Sequence, residues 1–170
     1  LIDGGPNLST LEHLGNHMPF FDRTVELVVL THPNLDHMAA LPEVLKRYNV
    51  EAIMLAGSDY RMGKYDQLLA EIEARDIAVI LSDPNKDIAL GDGLVLNTIW
   101  PSAHAAQQAD LNDASVVLRA RFGEHAVLLP GDIEALAEQE ILLSGADIRS
   151  TILKAPHHGS KSSSSLAFIE

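Results

Sequence analysis

Cysteine is missing from all 170 residues of the chain. Its absence rules out a disulfide framework and a thiolate zinc site, so any transition-metal centre must draw on His, Asp, Glu or Asn. It assigns no redox compartment, because a cysteine-free chain suits an oxidising or a reducing one equally. Also missing are a run of about 20 apolar residues, which a bilayer-spanning helix needs, and a basic segment leading into an apolar one at the start. As given, the chain is expected to be soluble. Positive charge is scarce: 12 Lys and Arg stand against 24 Asp and Glu, for a formal net charge of −12. This balance argues against broad, nonspecific adhesion to nucleic-acid phosphates. It leaves a nuclease open, since carboxylates that hold divalent cations add to the negative count and the cations reverse the field where a phosphate must sit.

What is present is enough for one domain with a real core, because 46% of the residues are hydrophobic. The chain opens inside an apolar run, Leu1-Ile2-Asp3, and stops at Ile169-Glu170 in a possible helix. The expectation is therefore a single domain, residues 1–170, cut from a longer protein at both ends.

Short β-rich runs alternate with amphipathic stretches, the pattern of an α/β architecture. Leu1 to Asp3 reads as the end of a strand, Leu8 to His17 as a helix and Val25 to Thr31 as a fully buried strand. Met38 to Tyr48 carries Leu41, Val44, Leu45 and Tyr48 at helical spacing, and the strand Ala52 to Leu55 follows. A second helix is predicted over Lys64 to Arg75, then a strand over Ala78 to Leu81. From Ile88 onward strands dominate: Ile88–Leu90, Leu94–Trp100, Ser115–Phe122 and His125–Leu129, the last two joined by a Gly123-Glu124 turn. Glu134 to Leu143 reads as a helix stopped by Ser144-Gly145, and Thr151 to Lys154 as a short strand.

Three polar clusters follow predicted strands. In Thr31-His32-Pro33-Asn34-Leu35-Asp36-His37, His32, Asn34, Asp36 and His37 could converge on one cation, since a strand end fixes the backbone and the loop after it can turn several side chains together. The plainer reading makes Asp36 the N-cap of the helix at Met38. In Pro130-Gly131-Asp132 the aspartate is a ligand candidate or the N-cap of the next helix. In Lys154-Ala155-Pro156-His157-His158-Gly159-Ser160 one of the adjacent histidines could face a metal while the other orients a ligand; the alternative is a surface turn. The α/β fold gathers strand ends on one edge, so three such clusters together mean more than any one alone.

The order LIDGG, THPNLDH, LLPGD, LKAPHHGSKSSSS resembles the metallo-β-lactamase superfamily, and most closely the hydrolase domain of ComEC-type DNA-internalisation (competence) proteins. The HHGS segment and the Asn112-Asp113-Ala114-Ser115 run are its more specific parts. The resemblance implies an αββα sandwich lacking its first strands, with a site for one or two divalent ions, zinc or manganese, and a metal-activated water that attacks a phosphodiester. Carried over by residue, His32 matches the first histidine of an HxHxDH motif, Asp36 and His37 its final pair, Asp132 the aspartate that bridges two metals, and His157 or His158 the last metal histidine. Asp3 matches an aspartate that supports the ligands from behind, and Asn112 is placed in a similar supporting role. Ser160 and Lys161 are candidates for phosphate binding, with a flexible polar turn as the alternative.

Two departures bear on activity. Asn34 stands where the motif has its second histidine, and the intermediate histidine of many members has no counterpart, His104 and His125 being expected to face solvent. The expected function is phosphodiester hydrolysis of DNA during uptake, with Asp36 and Asp132 central to catalysis. Here the parent chain would supply a membrane channel and this domain would lie on the extracytoplasmic side of a bacterial inner membrane, or else in the cytoplasm. The alternatives are a stand-alone hydrolase of a small ester or phosphodiester, and a binding domain of the same fold that has lost catalysis.

Overall fold

The computed structural model describes residues 1–60 and 63–170. The chain divides into two compact units, an N-terminal one of residues 1–55 and 59–81 and a C-terminal one of 56–58 and 82–170.

In the N-terminal unit the strands β1 (Thr24–Val29), β2 (Asn49–Leu55) and β3 (Ala78–Leu81) form a parallel sheet in that order. Val28 pairs with Ile53, and Ile53 with Val79. The chain start lies beside β1 through an Ile2–Val29 bridge, so the predicted strand end at Leu1 to Asp3 is present in reduced form. Helix α1 (Ser9–His17) precedes β1; the short helices α2 (Leu35–Met38) and α3 (Leu41–Arg47) follow it, and α4 (Gly63–Ala74) joins β2 to β3. α3 buries Leu41, Val44 and Leu45, and α4 buries Tyr65, Leu68 and Ile72, the i, i+3, i+4 and i+7 positions of a helical face. These pack with Val28, Leu30 and Ile53 in one core. Each fully buried aliphatic side chain contributes about 1.5–3 kcal/mol by leaving water.

The helix expected over Met38 to Tyr48 is two helices. Pro42 sits in the first turn of α3, where its missing N–H costs nothing, but it cannot continue a helix from α2. The Ala39 N–H, at the end of α2, is shared between the Leu35 and Gly5 carbonyls at 3.0 and 3.1 Å. Gly4 packs so closely on α3 that a Cβ there would lie 2.8 Å from Leu41 Cγ and 3.0 Å from the Leu41 nitrogen.

The C-terminal unit holds five strands in the order β4 (Asp87–Ala89), β5 (Leu94–Trp100), β6 (Val117–Phe122), β7 (His125–Leu129) and β8 (Ile152–Leu153). All neighbours are antiparallel except β7 and β8. The predicted Gly123-Glu124 turn closes β6 and β7, with Phe122 opposite His125. Helix α6 (Ala135–Ser144) ends on Gly145 in the left-handed region, as its sequence foretells. It packs Ala137 and Ile141 with Ile99, Val117, Leu128, Ile133 and Phe168, the last from the C-terminal helix α7 (Leu166–Ile169). Helix α5 (Ala103–Gln108) is not foreseen by apolar periodicity, because it buries only Ala106; its start is set by Ser102, whose Oγ accepts the Ala105 N–H at 3.2 Å. Among the described residues no helix is long and apolar enough to cross a membrane.

Candidate metal centre

The loop after β1 carries the first cluster. His32 and His37 are both buried, with ring centroids 4.2 Å apart, while Asp36 is exposed. Asp36 lies inside α2, whose N-cap is Asn34, so the capping role is not its own. The backbone of Asn34 accepts from the His37 and Met38 amides at 3.0 and 3.1 Å, and this turn sets the direction of His37.

Asp3 organises the histidines from behind. Its backbone is left-handed, with φ 56°, and its carboxylate accepts three bonds: Thr31 N–H at 2.8 Å, Thr31 Oγ1–H at 2.9 Å and His37 Nδ1–H at 2.8 Å. A carboxylate only accepts, so His37 carries a proton on Nδ1, which leaves Nε2 as the ring nitrogen that can serve as a ligand. Thr31 has one hydroxyl proton and gives it to Asp3. Its oxygen is then an acceptor for His32 Nδ1, 3.1 Å away. The same logic leaves the Nε2 of His32 with the lone pair. Through one carboxylate and one hydroxyl, both imidazoles take the tautomer that metal ligation by Nε2 requires.

His37 Nε2 faces Asp36 Oδ2 at 3.7 Å. A donor set of imidazole nitrogen and carboxylate oxygen fits a divalent transition-metal ion.

The second and third clusters meet within the C-terminal unit. Gly131, with φ 60°, turns the chain after β7 so that Asp132 is buried at the end of the strand, and α6 begins only at Ala135 with Glu134 as N-cap. Asp132 is therefore not the helix cap that the plainer reading offered. His158 Nε2 lies 3.1 Å from Asp132 Oδ2, and Lys154 Nζ lies 3.8 Å from Oδ1. His157 takes another direction, its Nδ1 2.9 Å from Glu134 Oε1. Both histidines have left-handed backbones, φ 44° and 53°, in a short 3-10 turn. That conformation costs energy in a non-glycine residue. It sends the adjacent rings to different carboxylates.

Ser160 and Lys161 lie in a segment that is bonded down rather than loose. Ser160 Oγ and Ser162 Oγ are 2.9 Å apart, Ser162 Oγ donates to Glu134 Oε1 at 2.9 Å, and the fully buried Glu138 accepts the Ser164 and Ser165 amides, the latter at 2.8 Å. Lys161 is exposed, as are His104 and His125. Asn112 is half-buried and its carbonyl accepts the Ser115 N–H at 2.9 Å.

Sequence reasoning assigned no role to Thr31, Glu134 or Glu138. The signal for Thr31 was its place at the end of a buried strand, inside the ligand cluster; for the glutamates it was their i, i+4 spacing on a helix that follows Asp132. Beside Asp36, in the N-terminal unit, lies a cavity of about 660 Å³ lined by Asn34, Leu35, Tyr60, Lys64 and Tyr65. The larger cavity of about 870 Å³, around Arg119, Arg121 and Asp147, contains none of the predicted site residues.

The sequence matches the profile of the Metallo-beta-lactamase superfamily over residues 1–170. The chain belongs to that superfamily. It is 26% identical over 151 residues to ComE operon protein 3 of Bacillus subtilis (strain 168), covering 87% of this chain and 19% of that protein. It is also 39% identical over 79 residues to the uncharacterized protein YcaI of Escherichia coli (strain K12), covering 46% of this chain and 10% of that one. The chain thus spans a fifth or less of the length of these relatives. Among solved structures it resembles CmlA, a diiron β-hydroxylase from Streptomyces venezuelae, with TM-score 0.53, 16% identity and coverage of 82% and 26% of the two chains. It also resembles the flavodiiron protein from Giardia intestinalis, with TM-score 0.51, 17% identity and coverage of 77% and 29%. These two likenesses show the fold alone. Metallo-β-lactamase superfamily proteins are in general metal-dependent hydrolases, and the expected α/β fold of that type stands.

Proposed function

We propose that this metallo-β-lactamase superfamily chain is a phosphodiesterase that cuts DNA during uptake, as the extracytoplasmic domain of a bacterial inner-membrane protein whose channel lies elsewhere in the parent chain. The observation that carries the hydrolase reading is the Asp3–His37 pair, 2.8 Å apart, which holds Nε2 of a buried histidine toward Asp36. The DNA reading is supported by the sequence resemblance to DNA-internalisation proteins and by the match to ComE operon protein 3 over most of the chain.

In this proposal Asp36, His37, Asp132 and His158 hold a divalent ion, zinc or manganese, with His32 and Asn34 available for a second. Support for the joint set comes from family membership and from the geometry inside each unit. When bound, such an ion supplies Lewis acidity at a phosphoryl oxygen and acidifies water toward neutral pH. Asp132, buried, orients the attacking water by accepting its proton-bearing side. Asp3 and Thr31 keep the imidazole tautomers fixed. Lys154, which also lies 3.4 Å from the Gly131 carbonyl, offsets charge near Asp132, and Lys161 with Ser160 receives phosphate. His157, whose Nδ1 stands beside Glu134 rather than Asp132, is left out of the ligand set.

The test is cleavage of single-stranded DNA with added manganese or zinc, comparing the wild type with Asp132→Ala. The expected result is metal-dependent cleavage that falls by a factor of about 100 or more in the variant. Absence of cleavage under either ion would end the nuclease reading, and the substitution of Asn34 for a histidine would then favour a binding domain that has lost catalysis.

A further inference from the structure

The Asn112-Asp113-Ala114-Ser115 run is among the most specific parts of the sequence, yet no catalytic step uses it. Its geometry in the C-terminal unit is that of a clamp. Asp113 and Ser115 are both buried, 4% and 0% exposed, and their side chains reach the loop that carries Asp132. Ser115 Oγ accepts the Asp132 backbone N–H at 3.2 Å, and Asp113 Oδ1 accepts the Glu134 N–H at 2.6 Å. Between these two amides sits Ile133, whose side chain is fully buried in the core under α6. Three consecutive residues are thus fixed, two by bonds from one run and one by packing.

The run is itself held. Asp110 Oδ1 accepts the Asp113 N–H at 2.9 Å, the Asp113 carbonyl accepts Trp100 Nε1–H at 2.6 Å, and the Ser115 N–H is turned back onto the Asn112 carbonyl at 2.9 Å. A carboxylate is an unusual choice for a buried position unless something demands it. Burial pushes the Asp113 carboxyl above its ordinary range, against the pull of the Glu134 N–H. An apolar residue would avoid that cost but offer no acceptor, so the acceptor oxygen and its placement are what the position supplies.

We propose that Asp113 and Ser115 are positioning residues for Asp132: they set the direction of its carboxylate by holding the amides on and after it, and metal affinity depends on them although neither touches the ion. The proposal rests on the reading of Asp132 as a ligand.

Cobalt(II) is the probe, because its visible d–d absorption reports ligand geometry. Titrations would compare the wild type with Ser115→Ala, Asp113→Ala and Asp113→Asn, which keeps an acceptor oxygen in place. The expected result is a loss of cobalt affinity of about tenfold or more in Ser115→Ala and Asp113→Ala with an altered spectrum, and affinity and spectrum near wild type in Asp113→Asn. Wild-type affinity and spectrum in both alanine variants would overturn the proposal. Amide hydrogen exchange on the metal-free proteins gives a second readout that does not depend on ligation. Faster exchange confined to Asp132 in Ser115→Ala and to Glu134 in Asp113→Ala is expected, and unchanged exchange at both would overturn the clamp. A wild type that binds no cobalt but shows these exchange changes would keep the clamp as a loop-fixing device and refute the ligand reading and its metal-affinity consequence.

Discussion

Asp3 and Thr31 act on the histidines without being ligands themselves, and their effect is readable as a proton position. The Asp3 carboxylate implies a proton on Nδ1 of His37, and, with the Thr31 proton given to Asp3, one is expected on Nδ1 of His32 as well. Nitrogen-15 NMR of the metal-free protein should show both rings in that form. Thr31→Val should release His32 into a tautomer mixture, and Thr31→Ser should restore the single form. Finding His32 protonated only on Nε2 in the wild type would refute the assignment. At this scale the sequence was partly legible. The candidate ligands could be read as clusters of His and Asp after strands, each with a capping or turn alternative that sequence alone left open, and Asp3 was marked by resemblance. The Thr31 bridge could not be, since its meaning depends on which of several acceptors the hydroxyl meets in space.

Helix α6 shows how an element secures the segments around it. Its Glu138 carboxylate, with no exposed surface, accepts the amides of Ser164 and Ser165, while Glu134 one turn earlier takes the Ser162 hydroxyl and stands against His157. Glu138→Ala would leave two amides without their acceptor, at a cost of about 2–4 kcal/mol. Urea denaturation should show a fall in stability of that size; a change below about 0.5 kcal/mol would mean that water replaces the carboxylate without loss. The serine-rich stretch looked like a flexible turn in sequence because composition alone cannot show a buried glutamate from another element beneath it. Strands were more legible than helices for a related reason. Apolar runs such as Leu94–Trp100 and His125–Leu129 mark strands by themselves, and their observed bounds coincide with the expected ones. The α2–α3 break depends on Pro42, whose effect periodicity does not register, and α5 buries too little to leave an apolar stripe.

For the whole molecule, a net charge of −12 and the proposed polyanionic substrate are reconciled if divalent cations intervene. In the function proposed above, that cation is held through Asp36, His37, Asp132 and His158. Calorimetric titration with manganese and with zinc tests it most directly, on the wild type and on His37→Ala and His158→Ala, one from each end of the sequence. One or two ions per wild-type chain are expected, with an affinity at least about tenfold weaker in each variant. A wild type that binds neither ion, or variants that bind as tightly as it does, would contradict it.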